Sequence, residues 1–203
     1  EAHVVVRTQG VGHMFPGGTI DSNEVWVEFK VSVGDGDPFW VSGAVDSETG
    51  IVDQEAEFYR AWVTDKDGKR VVNRLGTDVR TRVYVKTIPP GAADVVRYRF
   101  RVPEGAQGKL KLEARLRYRK FMREYVDFVF PDSKIHKHRF NDGRIHESDV
   151  TQLPIIDMCE TELRLGIGSL APGLTPLEWP RDYERVNDLG RHSESTREVG
   201  TDG

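Results

Sequence analysis

The sequence predicts an all-β fold, an antiparallel immunoglobulin-like β-sandwich, and three observations lead to it. Residues 109–121 set Leu110, Leu112, Ala114, Leu116, Tyr118 and Phe121 between Lys109, Lys111, Glu113, Arg115, Arg117 and Arg119. That period of two sends one face to a core and the other outward. Residues 94–102 repeat the pattern, with Val96, Tyr98, Phe100 and Val102 set against Arg97, Arg99 and Arg101. Throughout the first 165 residues, short runs of Val, Tyr, Phe and Trp are separated by Gly, Pro and Asp clusters, the punctuation of antiparallel strands. Two sheets that each bury one face pack together as a sandwich.

In chain order, strands are expected near 2–8, 24–33, 38–42, 56–64, 69–73, 79–87, 94–102, 109–121 and 154–165. Asp65-Lys66-Asp67-Gly68 reads as a hairpin turn in which Gly68 takes the left-handed conformation. Residues 131–151 are polar and read as a long loop inside a β domain spanning 1–170. Helical periodicity is nearly absent before residue 176. Residues 171–203 read as a linker, a short C-terminal helix over 181–189 and a flexible tail rich in Ser, Thr, Glu and Gly.

With 203 residues, 37% of them apolar, the chain has enough material for one sizeable core. A net charge of −4 argues against indiscriminate binding to nucleic acid. The charge is nevertheless segregated. Residues 97–140 carry 13 basic and 5 acidic side chains, whereas the flanking regions are acidic. No apolar run is long enough to cross a bilayer as a helix, and the first residues lack a signal-peptide pattern, so the chain reads as cytosolic or as a mature product. The single cysteine, Cys159, allows no intrachain disulfide, no multi-cysteine zinc site and no covalent haem, and its place in an apolar strand predicts burial.

Four groups of residues could bear function. His13, in the Gly-rich segment Gly12-His13-Met14-Phe15-Pro16-Gly17-Gly18, has an imidazole suited to a haem iron or another metal. The alternative is a loop brace, with Phe15 plugging the sandwich. His136, His138 and, beyond them, His146 have chelating spacing for a divalent metal, although Lys134, Lys137 and Arg139 would repel a cation. This supports a second reading, a metal-binding or metal-dependent enzyme domain. If the strands at 94–102 and 109–121 are neighbours, Arg97, Arg99, Arg101, Lys109, Lys111, Arg115, Arg117 and Arg119 form one cationic docking face. Trp26, Trp40 and Trp62 lie in strand-like apolar runs, which points to core burial; on the other reading they supply the stacking platform of a carbohydrate-binding or adhesive sandwich. Asp21, Asn23 and Glu24, and separately Asp35, Asp37 and Asp46, are explained by turns as well as by calcium. No catalytic residues are assigned, because no nucleophile elbow, Cys-His arrangement or P-loop is present.

Several segments together resemble the β region of bacterial multihaem c-type cytochromes that also carry tetratricopeptide repeats. They are Val11-Gly12-His13-Met14-Phe15-Pro16-Gly17-Gly18, Glu24-Val25-Trp26-Val27-Glu28-Phe29-Lys30, Glu57-Phe58-Tyr59-Arg60, Ile88-Pro89-Pro90-Gly91, Ala114 to Phe121 and Leu153-Pro154-Ile155-Ile156-Asp157-Met158. Tyr183 to Gly190 looks like the entry to the first such repeat. The resemblance implies a non-enzymatic scaffold or docking module in an electron-transfer assembly outside the cytoplasm, whether periplasmic or at the cell surface. It also implies a haem-bearing cytochrome chain or domain as partner, with haem c supplied by that partner. Members of that group often carry His where this chain has Glu57, a departure from the pattern.

Overall fold

The computed structural model describes residues 1–130, 135–139, 145–149 and 153–167. The helix and tail expected over 171–203 lie outside the described residues. The fold is all-β, as the alternation requires. Eleven strands are described: β1 (Ala2–Arg7), β2 (Glu24–Val33), β3 (Pro38–Ser42), β4 (Glu57–Phe58), β5 (Ala61–Thr64), β6 (Thr81–Val85), β7 (Ala93–Tyr98), β8 (Gly108–Arg119), β9 (Ile135–Arg139), β10 (Ile145–Asp149) and β11 (Ile155–Ile167). A single described helix, α1 (Arg123–Val129), follows β8.

The main sheet runs β11-β8-β2-β3, with β4 also pairing β2, and every pairing is antiparallel. β1 pairs with β7, and β5 with β6. The inner face of the main sheet presents Val25, Val27, Phe29 and Val31 from β2 and Leu112, Ala114 and Leu116 from β8. These residues pack against Val6, Val96 and Tyr98 of the β1–β7 pair, and against Tyr59 and Ile88. Phe29 and Tyr98 stack face to face across the layers at 4.5 Å, and Trp40 meets both rings edge-on. Burial of this aromatic and β-branched material is the main stabilising term. A smaller cluster of Trp26, Val52, Ala56 and Phe58 covers part of the opposite face. Gly43 sits there at φ +78°, so close to Val27 that a Cβ would strike its carbonyl oxygen, and its own carbonyl accepts from Trp26 Nε1 at 3.0 Å.

The 65–68 turn forms as expected. Gly68 has φ +77°, and Asp65 Oδ1 accepts from the backbone N–H groups of Asp67 and Lys69. The segment after it makes only an isolated bridge, Thr64 to Arg70, in place of the strand expected over 69–73. Helix α1 falls within the stretch before residue 176 in which helical periodicity is nearly absent. Its sequence, Arg-Glu-Tyr-Val-Asp-Phe-Val, is poor in strong helix formers, and no side chain caps its N-terminus. Packing of Val126, its one buried residue, holds it in place. Residues 131–151, expected to be a loop, contain the β9–β10 antiparallel pair. Cys159 is exposed, not buried. β11 is an edge strand, and most of its residues, Ile156, Met158, Leu163 and Leu165 among them, are exposed.

Candidate functional site

The loop between β1 and β2 is tied to the core at Phe15. Phe15 exchanges two backbone hydrogen bonds with Ile88, at 2.8 and 2.6 Å, and its ring lies 6.4 Å from that of Tyr59. The Phe15–Pro16 peptide is cis. With its neighbours anchored, His13 is held at the surface beside a concavity of about 410 Å³ whose lining includes Met14, Pro16, Gly18, Val85 and Thr87. His13 Nδ1 lies 2.8 Å from the carbonyl oxygen of Met14. A carbonyl only accepts, so Nδ1 carries the proton and donates, which leaves Nε2 of the neutral ring with its lone pair. Gly17 makes this orientation possible, since a Cβ there would lie 2.8 Å from His13 Cε1 and 3.1 Å from Nδ1. A histidine with Nδ1–H fixed on a backbone carbonyl and Nε2 outward has the donor arrangement that suits a haem iron or a metal.

Near Tyr59, whose ring Phe15 approaches, lies a partly buried ionic group that the sequence did not reveal. Lys86 Nζ contacts Glu57 Oε1 at 2.6 Å and Asp94 Oδ2 at 2.8 Å, and Tyr59 donates to Asp94 Oδ2 at 2.8 Å. Burial raises the Glu57 carboxyl above its usual range, and the bonded Lys86 opposes the shift. Burial also raises the Tyr59 phenol, so it remains a hydrogen-bond donor. Tyr59 and Glu57 are two residues apart in sequence, but Lys86 and Asp94 arrive through the β6 connection and β7.

The single cationic docking face does not form. β7 pairs with β1 and β8 lies in the other sheet, so Arg97, Arg99 and Arg101 are not beside Lys109, Lys111, Arg115, Arg117 and Arg119. Most of the β8 cations are also matched by acids on the flanking strands. The β2–β8 register sets Glu24 opposite Arg119, Glu28 opposite Arg115 and Lys30 opposite Glu113. Arg119 Nε donates to Glu24 Oε2 at 2.8 Å, and both side chains are buried. Arg117 reaches Glu28 at 3.0 Å and Asp157 of β11 at 2.8 Å. Arg115 contacts Asp157 and Glu160, and Lys111 contacts Glu113 and Glu162. Arg99 pairs with Glu1 at 2.8 Å. Burial raises the Glu24 carboxyl even against the attraction of Arg119.

The β9–β10 register places His138 directly opposite His146, and His136 opposite Ser148. Residues at i and i+2 and their cross-strand partners share one face, so the three histidine positions fall on a single face of this hairpin, and the positions of Lys137 and Glu147 are opposite one another in the register on the other. Among the described residues outside this hairpin, no three of His, Cys, Asp or Glu gather as a metal ion would need. The tryptophans make no common platform. Trp26 is fully buried, Trp40 sits in the aromatic core, and Trp62 lies against Tyr84 and two arginines. Asp46 accepts from Glu48, Thr49 N–H and the Thr49 hydroxyl, and Asp35 pairs with Arg164, which is turn and ion-pair chemistry.

No helix among the described residues is long and apolar enough to cross a membrane. No family model and no curated protein matches the chain. Among solved structures it is similar to a penta-haem cytochrome c552 from Thermochromatium tepidum, at 12% identity and a TM-score of 0.51. The match covers 80% of this chain and 35% of the cytochrome, so this chain corresponds to about a third of that protein. At this identity the likeness is one of fold: the chain is an all-β sandwich whose fold is similar to part of a multihaem cytochrome c.

Proposed function

We propose that this chain is the β-sandwich module of an electron-transfer assembly located outside the cytoplasm, and that it docks on a haem-bearing chain or domain through the His13 loop. The observation that carries the reading is the 2.8 Å contact between His13 Nδ1 and the Met14 carbonyl oxygen on an exposed residue, which leaves Nε2 for a ligand. The fold likeness to part of a penta-haem cytochrome supports it, as does the resemblance in residues 11–18. Val83 and Val85, 63% and 49% exposed, extend an apolar surface from the same concavity along β6. The haem would belong to the partner, and it would supply the redox chemistry. This chain's residues would orient the imidazole and exclude water around it. The matched charges of β8 move the docking surface away from the basic block and toward the His13 loop.

A ferric haem c undecapeptide with an open axial position tests ligation. Adding the protein is expected to shift the Soret band to that of a low-spin bis-nitrogen complex, and His13→Ala is expected to abolish the shift while leaving the circular dichroism unchanged. An equal shift with His13→Ala would overturn the assignment.

The β9–β10 register favours a second reading, a divalent transition-metal site at His136, His138 and His146. Zinc analysis after dialysis is expected to give about one ion per chain on this reading, and none after His138→Ala combined with His146→Ala.

A further inference from the structure

A second concavity, of about 580 Å³, opens between the β4–β5 segment and β6. Its lining includes Phe58, Arg60, Trp62, Val83, Val85 and Lys86, and it shares Val85 with the hollow beside His13. Arg60 is only 4% exposed. Its guanidinium lies over the ring of Phe58 at 3.6 Å and near that of Trp62 at 4.6 Å. Neither Arg60 Nη1 nor Trp62 Nε1 has a hydrogen-bond partner, although both are shut off from water. Buried donors are normally satisfied, and two orphans lining one hollow are a departure that asks for an acceptor.

Nearby acids do not supply one. Glu24 is bonded to Arg119, Glu124 to Arg70, and Glu57 to Lys86. Burial without a bonded counter-ion lowers Arg60 to about 10, with neighbouring Arg70 adding to the effect, so the group is still a cation at neutral pH. The missing acceptor should therefore be an anion. It should also be flat and mostly apolar beyond its charged end, because Phe58, Trp62, Tyr84, Val83 and Val85 make most of the remaining wall, and the two acids that also line it, Glu57 and Asp94, are both paired with Lys86. Reaching both nitrogens takes a side-chain adjustment in the wall, and β6 is the wall least held by the core, with four of its five residues exposed.

We propose that this concavity binds the carboxylate of a ligand with a flat apolar body, its oxygens accepting from Arg60 Nη1 and Trp62 Nε1. Two sources present that chemistry: a free aromatic acid, and the propionate edge of a porphyrin. The site is independent of ligation by His13, and an iron-free probe keeps the two ideas separate.

The experiment titrates the full chain with 2-naphthoate, with 2-naphthylmethanol and with iron-free protoporphyrin. It follows the indole N–H resonances of the four tryptophans by ¹H–¹⁵N correlation and measures Kd by calorimetry. Trp62→Phe assigns the Trp62 signal. The expected result is a downfield shift of that signal with naphthoate or protoporphyrin, and an alcohol at least roughly tenfold weaker than the acid. Arg60→Gln should weaken acid binding by roughly tenfold to a hundredfold, as loss of a charged hydrogen bond does, and Trp62→Phe by a smaller factor. Response to naphthoate alone identifies a free acid as the ligand, and response to protoporphyrin alone identifies the porphyrin edge. Equal affinity for acid and alcohol, an unchanged Kd in both variants, or no shift with either acid would overturn the proposal. Arg60→Gln and Trp62→Phe are independent changes, so misfolding of one leaves the other as the test.

Discussion

Arginines in two parts of this molecule are treated in opposite ways. On the outer face of the main sheet, Arg115, Arg117 and Arg119 each meet a carboxylate that the strand register brings to them. On the β4–β5 segment, Arg60 is buried as deeply as Arg119 yet keeps a nitrogen without an acceptor. The first arrangement is what a sheet needs to hold together. The second costs stability, and a protein tolerates such a cost where a binding site requires it. The comparison teaches that a basic residue signals function here through the lack of a partner, not through its charge.

The largest effect that could break this contrast is expected at Arg119. Arg119→Ala leaves Glu24 buried and unpaired, and urea denaturation should show a loss of about 3–5 kcal/mol. Arg119→Met with Glu24→Gln should recover much of that loss. Arg60→Met is expected to behave differently, with stability within about 1 kcal/mol of the parent or above it, because an orphan donor disappears while the stacking against Phe58 remains. A loss at Arg60 as large as that at Arg119 would show that the two regions are built alike.

A smaller effect is expected from pH. Burial raises the folded-state value of Glu57 above its ordinary 4.5, so the folded state holds more protons than the unfolded one between those two values. Its contribution is therefore fully present below about 4.5 and declines as pH rises through the folded value. Glu57→Gln removes this dependence. The stability of the parent relative to Glu57→Gln should fall as pH rises from 4.5, and a rising difference would contradict the sign. The smallest effect is at Gly17. Gly17→Ala should displace the His13 ring and alter its ¹⁵N tautomer signature, while the melting temperature changes by only a few degrees.

Much of the fold was legible in the sequence because alternation is local. The faces of 109–121 and 94–102 follow from neighbouring residues, and the inward residues Val96, Tyr98, Leu112, Ala114 and Leu116 are all buried. Partnership between strands is not local. Nothing within 97–120 reveals that β8 lies between β2 and β11 while β7 joins β1, so its cations looked free when most were matched. Helix α1 was obscured by its β-branched and aromatic residues, and β9–β10 by charged residues at turn-like density. At the candidate site, the Gly-rich segment pointed to His13. The orphan donors of Arg60 and Trp62 had no local signature, since they depend on what the fold leaves unpaired.

The ladder of charges between β2 and β8 also acts as an alignment code. Sliding one strand by two residues would keep every apolar side chain on its own face, so burial alone would scarcely oppose it. In one direction that slip sets Glu28 against Glu113 and Lys30 against Lys111; in the other it sets Lys30 against Arg115. Like charges directly opposed are unfavourable in either case. The native alignment alone pairs Glu24 with Arg119, Glu28 with Arg115 and Lys30 with Glu113. The charged face thus selects which of several equally greasy sheets the chain forms.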